Sequence, residues 1–524
     1  MEIEKERRSQ LGMGTVSTVN QLKNRIHELE KENLLLQEKV DFLTHKLFGR
    51  TTEQTSSLEL SGQMSLFDEA EVLENPASPE PTLKEVTSYQ RRKFKGQREE
   101  LLKDIPHEKK LCTLAESDRF CETCGTALFS VGEEFVRTEI EFIPAKIRVI
   151  DYYRETFECR SCRKTGNPYM EKSPMPYPVI QHSYASASSI AWMIHQKYEL
   201  AIPLYRQEKE WETMGLRLLR ATMSNWILTS YRDWLSPVVK RLKAKLLEQR
   251  YLHIDETPVQ VLKEPERKNT TDSYMWVYSS IKSCKHPVRL FEYQPGRGGK
   301  YPQAFLKSFQ GFIHTDAYKG YEKVSGVTRC LCWAHLRRYF VEALPNTTKG
   351  EKTTLPAKAI EFINQLFEME KKLEVLTPEG RKEQRLIQEK PVLDAFWSWA
   401  EETALGILPK SKLGTAFTYA FHQKEGLMNY LLDGNCSISN NLAENSIRPF
   451  TIGRKNWLFS GSPKGAEASA GIYSLVETAK ANGIHPYKYI HYILSEIPGS
   501  AFLEYPEYLE DYMPWEPNIQ KLCR

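Results

Sequence analysis

Two aspartates close short apolar runs, Asp255 in YLHIDET and Asp316 in GFIHTDAYKGY. Acids presented together at the ends of neighbouring strands offer hard oxygen ligands, the donor set that suits Mg²⁺ or Mn²⁺. Glu256 follows Asp255 directly, and spacing alone does not say which of the two carboxylates takes an ion. A third acid, Glu444, sits in SNNLAENSIRPFTIGRKNWLFSGS. Asn440 and Asn441 are good helix starters there, so Glu444 is expected in the first turns of a short helix that Pro449 ends. The interval from Asp316 to Glu444 is more than double that from Asp255 to Asp316.

These acids need a scaffold. YLHIDET, MWVYSS and VRLFEYQ read as three antiparallel strands, PGRGGKYPQAFLKSF as loop and helix, and GFIHTDAYKGY as a further strand. Two neighbouring strands that each present an aspartate at one sheet edge form the ribonuclease H-like arrangement. The second interval, from Asp316 to Glu444, is too long for one strand and one helix, so it must hold an inserted domain. Residues 351–435 read as mostly helical.

A second chemistry lies upstream. Cys121-x-x-Cys124 and Cys159-x-x-Cys162 form two knuckles, separated by alternating stretches that read as strands. Paired thiolates on two knuckles complete a tetrahedral site, so one structural Zn²⁺ in a zinc ribbon is expected, with a redox CxxC as the rival. Cys332-x-x-His335 repeats the knuckle spacing without a second pair and is read as packing and positioning around the acidic site.

Leu22, Leu29, Leu36 and Leu43 recur every seven residues, with Val19, Ile26, Asn33, Val40 and Leu47 in the other seam position. This is the pattern of a dimeric leucine zipper, the alternative being an amphipathic helix on the protein's own core. From Thr51 to Leu83 there are seven acids and no Lys or Arg, in a Ser-, Thr- and Pro-containing stretch expected to remain a disordered linker. Further on, PLYRQEKEWETMG and LRLLRATMSNWI suggest two helices around a turn near Gly215. Either Arg220 and Asn225, with Thr222 and Ser224, face DNA, or Leu204, Trp211, Leu216, Met223 and Trp226 simply pack a helical subdomain. Arg337, Arg338, Arg448, Arg454 and Lys455 crowd the acidic motifs, where phosphate contacts would sit. Trp333 and Trp457 could stack on a base but are read as core.

Over 524 residues, 72 Lys+Arg against 68 Asp+Glu leave a net charge of only +4, which carries no strong message about nucleic acid. The length implies two to four domains. No apolar run approaches a membrane span and no signal core opens the chain, so a soluble, cytoplasmic, nucleoid-associated protein without membrane contact is expected. Ten cysteines are too few for a disulfide scaffold.

HIDETPVQV, HTDAYKGY, CWAHLRRYF, NNLAENSIRPFTIGRKNWLFSGS and ETAKANGIHPYKYIHYIL resemble the insertion sequence 66 family of bacterial transposases. The order of zipper, KLFGR, SLFDEAE, zinc ribbon and interrupted catalytic region is similar too. The resemblance implies a DDE triad of Asp255, Asp316 and Glu444 holding two Mg²⁺ (or Mn²⁺) ions. It also implies cleavage of the element's terminal inverted repeats, joining to target DNA, and small accessory proteins as partners. A zipper and zinc-ribbon regulator without catalysis, and a nuclease of the same core fold, are the rival functions.

The expected architecture is a multidomain α+β chain: coiled coil 15–50, acidic linker 51–90, zinc ribbon 100–175 and helical DNA-binding segment 180–250. A ribonuclease H-like core follows at 251–345, with a helical insertion 346–435, the second part of the core 436–484 and a helical tail 485–524.

Overall fold

A computed structural model describes residues 146–159, 170–345 and 354–524, with isolated positions 127 and 164. The expected zipper, the acidic linker and three of the four zinc-ribbon cysteines (Cys121, Cys124 and Cys162) lie outside the described residues. The described part is a mixed α+β structure built on one central sheet.

Ahead of that sheet, β1 (Thr156–Glu158) pairs antiparallel with β2 (Met170–Lys172). Four helices follow: α1 (Ala187–Tyr198), α2 (Leu204–Thr213), α3 (Arg220–Ser230) and α4 (Ser236–Leu247). Gly215, at φ +91°, supplies the left-handed turn between α2 and α3 that a side chain would strain. Trp211 and Met223 are buried between these helices while Leu216 is exposed.

The sheet contains β3 (Tyr251–Val261), β4 (Asp272–Ser280), β5 (Arg289–Gln294), β6 (Gly311–Thr315) and β7 (Val327–Leu331) in the order β5-β4-β3-β6-β7. The first three form an antiparallel meander, and β3, β6 and β7 run parallel. A parallel return needs a crossover, supplied here by the segment containing α5 (Lys300–Phe305). The two-residue β8 (Phe459–Ser460) pairs in parallel with the far end of β3, Gln260 and Val261.

Beyond β7, α6 (Trp333–Glu342) leads into a helical stretch: α7 (Leu355–Leu373), α8 (Pro378–Gln384), α9 (Lys390–Ala404), α10 (Lys412–His422) and α11 (Lys424–Met428). This stretch shares one apolar core with the sheet side, in which Leu331, Trp333, Leu336 and Phe340 pack with Ile363, Phe396, Phe417 and Leu427. The chain then forms α12 (Asn441–Trp457), α13 (Pro463–Ala481), α14 (Pro486–Glu496) and α15 (Pro517–Leu522).

Both sheet edges are covered. On β5, Ser474 and Thr478, one turn apart on α13, accept hydrogen bonds from the N–H groups of Phe291 (2.8 Å) and Arg289 (3.1 Å). On β7, Asn429 donates to the Arg329 carbonyl at 2.9 Å. Edge groups that would otherwise invite another strand are thereby satisfied.

Pro449 does not end its helix. α12 runs 17 residues straight through it. An interior proline costs a helix ~3 kcal/mol through a lost hydrogen bond and a clash. The apolar stripe of Ala443, Ile447 and Phe450 buried under the sheet continues across the proline and outweighs that penalty.

Candidate active site

The register of β3 and β6 brings the two aspartates together. Tyr251 pairs with Phe312, Leu252 with Ile313 and His253 with His314, the same sequence offset that separates Asp255 from Asp316. Side chains alternate along a strand, so two residues beyond the histidine pair Asp255 and Asp316 arrive on the same side as equivalent positions. The motifs H-I-D and H-T-D are therefore register marks. The stacked rings of His253 and His314, 4.2 Å apart and nearly parallel, are the buried layer directly beneath the acids.

Asp316 lies just past the end of β6, and its loop is held from two sides. Its Oδ1 accepts the Tyr318 N–H at 3.0 Å. Arg329 on β7 donates to Thr315 Oγ1 and to the carbonyls of Asp316 and Tyr318 at 2.9, 2.6 and 3.0 Å.

Glu444 reaches the site because its helix is fastened to β3. Asn440 is not a side-chain cap for α12. Its side chain instead accepts from His253 Nδ1 (2.9 Å) and donates to the Ile254 carbonyl (2.8 Å), while its backbone N–H meets Cys332 Sγ at 3.1 Å. One buried amide thus ties the start of α12 to the residue immediately before Asp255. Burial, followed by the nearby charges of Glu256, Glu444 and Asp316, pushes the Asp255 carboxyl well above its ordinary range. Carboxylates gathered so closely call for a cation.

Of the adjacent pair, Glu256 is the committed one. Its Oε1 accepts from Arg297 Nε at 2.7 Å and its Oε2 from the Tyr321 hydroxyl. Burial raises its carboxyl, with these hydrogen bonds pulling the other way. Asp255 accepts only the neighbouring Glu256 N–H, at 2.9 Å, among the hydrogen bonds of the described residues. Arg297 lies over the Tyr318 ring and 3.7 Å from Asp316 Oδ2, so it lines the acidic site directly. Sequence reasoning passed over Arg297 and Arg329; the glycine-flanked basic residue in PGRGGK was the available signal for the first.

The residues expected to bind DNA divide. Arg220, Asn225, Arg338 and Lys455 are exposed. Arg337 is half-buried and bonds Asn364 at 2.8 Å. Arg454 bonds Thr257 Oγ1 (3.2 Å) and the Pro258 carbonyl, tying α12 to β3. Arg448 keeps a buried Nε without a hydrogen-bond partner. Trp333 is core as expected, its indole N–H donating to the Leu427 carbonyl at 2.8 Å. Trp457 is only partly covered, against Tyr198 and Tyr473.

Cys332 and His335 belong to this neighbourhood: their ligand atoms and those of Glu444 all lie within 4.8 Å of one another. Burial pushes the Cys332 thiol up to about 11, which keeps it a protonated acceptor for the Asn440 N–H. His314, Cys330 and Cys436 form a second, fully buried group. There the imidazole is already committed through both nitrogens, to the Leu252 carbonyl at 3.2 Å and the Ser437 N–H at 2.8 Å, which leaves none for a metal.

Residues 182–468, more than half of the chain, match the model described as Transposase IS66 family. The chain belongs to the IS66 transposase family. Further IS66 models match residues 118–163 (zinc-finger binding domain of transposase IS66) and 474–515 (IS66 C-terminal element). The model described as Transposase C of IS166 homeodomain matches 35–109. Among relatives, the uncharacterized protein y4hP of Sinorhizobium fredii is 25% identical over 507 residues, covering 92% of this chain and 88% of that one. The uncharacterized protein y4jD of the same organism is 27% identical, covering 76% and 78%. IS66 membership implies a transposase acting on DNA, with a divalent metal for its DDE domain and zinc for its zinc-finger region. Among the described residues no helix is long and apolar enough to cross a membrane.

Proposed function

We propose that the chain cuts the ends of its insertion sequence and joins the freed 3′-hydroxyls to target DNA, using Asp255, Asp316 and Glu444 as ligands for two divalent ions. The observation that carries this reading is the β3–β6 register, whose pairing of His253 with His314 sets Asp255 beside Asp316. Asn440 adds the third acid by fixing the start of α12 to β3. The strand order, with a second strand antiparallel to its neighbours and a parallel pair following, supports a ribonuclease H-like core for 251–345 and 436–484 with the helical insertion between them.

The donor set fits Mg²⁺ or Mn²⁺. The carboxylates are hard, they crowd one another, and a buried Glu444 oxygen has no hydrogen-bond partner. Bound there, the ions supply Lewis-acid activation of the attacking hydroxyl and stabilisation of the leaving oxygen. Asp255 contributes from within the β3 ladder, Asp316 from the end of β6 and Glu444 from a helix pinned to β3, so the three need little reorganisation. Arg297 is held over the site by Glu256 and Tyr318, where a guanidinium can meet a phosphate oxygen. In the first step water attacks the phosphorus at the element end, and the P–O3′ bond breaks to leave a 3′-hydroxyl. That hydroxyl then attacks a target phosphodiester, forming a new P–O bond while the target's own 3′-oxygen departs.

The cysteine knuckles of 100–175 hold one structural zinc and the zipper of 15–50 makes at least a dimer in this reading. Arg220, Asn225, Arg337, Arg338, Arg448, Arg454 and Lys455 contact DNA, and small accessory proteins assist. The test uses full-length protein, labelled element ends, a target plasmid and Mg²⁺. Asp255→Asn, Asp316→Asn and Glu444→Gln should each abolish cleavage while end binding survives. Near-normal cleavage by any one of them removes that residue from the triad. Cleavage without joined products would make the protein a nuclease.

A further inference from the structure

His335 and Glu444 face each other because their helices start from one stitched point. The Trp333 N–H donates to the Ile438 carbonyl at 3.1 Å, and the Asn440 N–H meets Cys332 Sγ at 3.1 Å. From that junction His335 is three positions past Cys332 on α6, and Glu444 four positions past Asn440 on α12. Each therefore lies about one turn into its helix. The anchor on the α6 side is rigid: Trp333 is fully buried and bonded through its indole to Leu427, and Leu336 and Phe340 are buried on the same helix.

The facing atoms are unsatisfied. His335 Nδ1 and Glu444 Oε1 are both buried without a hydrogen-bond partner, and they stand 3.8 Å apart. That is too long for a hydrogen bond. Two atoms that each sit ~2.1 Å from one shared ion are about 3.0 Å apart at a right angle and about 4.2 Å apart in opposition, so a gap of 3.8 Å is one that a single ion can span. Buried polar atoms are rarely left orphaned, and two orphans aimed at one gap point to something that fills it.

We propose that His335 is a further metal ligand of the active site, sharing one divalent ion with Glu444 through Nδ1. This deepens the triad reading and rests on it. The third member of the cluster, Cys332, is spent on the Asn440 N–H and contributes the junction rather than a ligand. An imidazole beside carboxylates makes the ion held by Glu444 unlike an all-oxygen Mg²⁺ site. Mn²⁺ shares the carboxylate preference of Mg²⁺ but, as a first-row transition ion, takes an imidazole beside the carboxylates more readily. The consequence is a centre with two unequal positions, one held by the strand aspartates with oxygen ligands alone and one that accepts nitrogen.

The test is electron spin-echo spectroscopy of Mn²⁺ bound to the full-length protein. Wild-type protein should show ¹⁴N modulation from a coordinated imidazole, and this should change to the ¹⁵N pattern when the histidines are ¹⁵N-labelled. His335→Asn and His335→Ala, checked for folding by circular dichroism, should lose the modulation and bind Mn²⁺ at one site on the order of tenfold more weakly or worse. The labelled wild-type protein carries the test even if a variant does not fold. Mn²⁺ bound without nitrogen modulation, or modulation unchanged in folded His335 variants, overturns the proposal while the triad stands. Mn²⁺ binding unaffected by Asp255→Asn, Asp316→Asn and Glu444→Gln overturns the triad and this ligand with it.

Discussion

Two buried polar networks grip the segment from Asn429 to Asn440 that delivers Glu444, and they are built from opposite materials. On the sheet side the network is uncharged: the stacked His253 and His314, the Asn440 amide, and the Ser437 N–H donating to His314 Nε2. Burial and the neighbouring His314 hold the His253 imidazole well below its ordinary range, so the ring stays neutral. On the insertion side the network is ionic. The fully buried Arg385 pairs with Glu370 at 2.5 and 2.7 Å and donates to the carbonyls of Tyr430, Asp433 and Cys436 at 2.9, 3.0 and 2.7 Å. Glu389 accepts the Tyr430 hydroxyl at 2.6 Å. The neutral set avoids the desolvation of ions and fixes geometry beside Asp255 and Glu444. The charged set carries a large desolvation cost, offset because every guanidinium donor direction is used on chain that must be held. The helical stretch from α7 to α11 therefore helps to position Glu444.

The sharpest way to break this comparison is to remove the cation. Arg385→Met leaves the partly buried Glu370 carboxylate without its partner and frees three carbonyls, so unfolding free energy should fall by about 3–5 kcal/mol. A loss under ~1 kcal/mol in urea unfolding would mean the ionic network does not hold the segment. Asn440→Ala comes next. It strands the His253 Nδ1–H and the Ile254 carbonyl, for a cost of about 1–3 kcal/mol. Its effect on chemistry should be disproportionate, because a shift of α12 on the order of an ångström can cost about 100-fold in rate. Cleavage by folded Asn440→Ala within a few-fold of wild type would reduce the amide to ordinary core packing.

How much of this could be read beforehand depends on whether the determining contacts are local. The strands around Asp255 and Asp316 were legible because alternation is a property of a few adjacent residues, and the repeated H-x-D carried the register itself. The helical character of the stretch after residue 354 was likewise legible from its periodicity. Pro449 misled because a local breaking tendency was overridden by a buried stripe whose partners lie on β3 and β4, far earlier in the chain. Asn440 was recognised as a helix starter, but its bonds to His253 and Ile254 are long-range and have no sequence pattern. The division of labour between Asp255 and Glu256 needed the positions of Arg297 and Tyr321. Arg385 had no signal at all, since one arginine in RKEQRLIQEK looks like its charged neighbours.

The finest distinction between the two networks is their response to pH. Burial, then the charge of Glu370 and a hydrogen bond shared with it, push the Glu389 carboxyl up to about 8. The unfolded chain releases that proton near the ordinary carboxylate value of ~4.3. Between these values the folded protein binds more protons than the unfolded one, so this group's contribution falls as pH rises. The loss is absent below the unfolded value and complete above about 8. Glu389→Gln keeps an acceptor for the Tyr430 hydroxyl and removes the titration, so its stability across the neutral range should decline less steeply with pH than that of the wild type. For one proton the difference in slope is at most ~1.4 kcal/mol per pH unit, so between neighbouring pH values it is the smallest of these signals. The measurement is paired urea unfolding at closely spaced pH values between the unfolded and folded titration points. Parallel curves would place the proton elsewhere in the ionic network, and a wild-type curve rising relative to the variant would reverse the assignment. The neutral network makes the complementary demand: His253 is held uncharged well below its ordinary range, so it should add no slope on the alkaline side of the ordinary imidazole value.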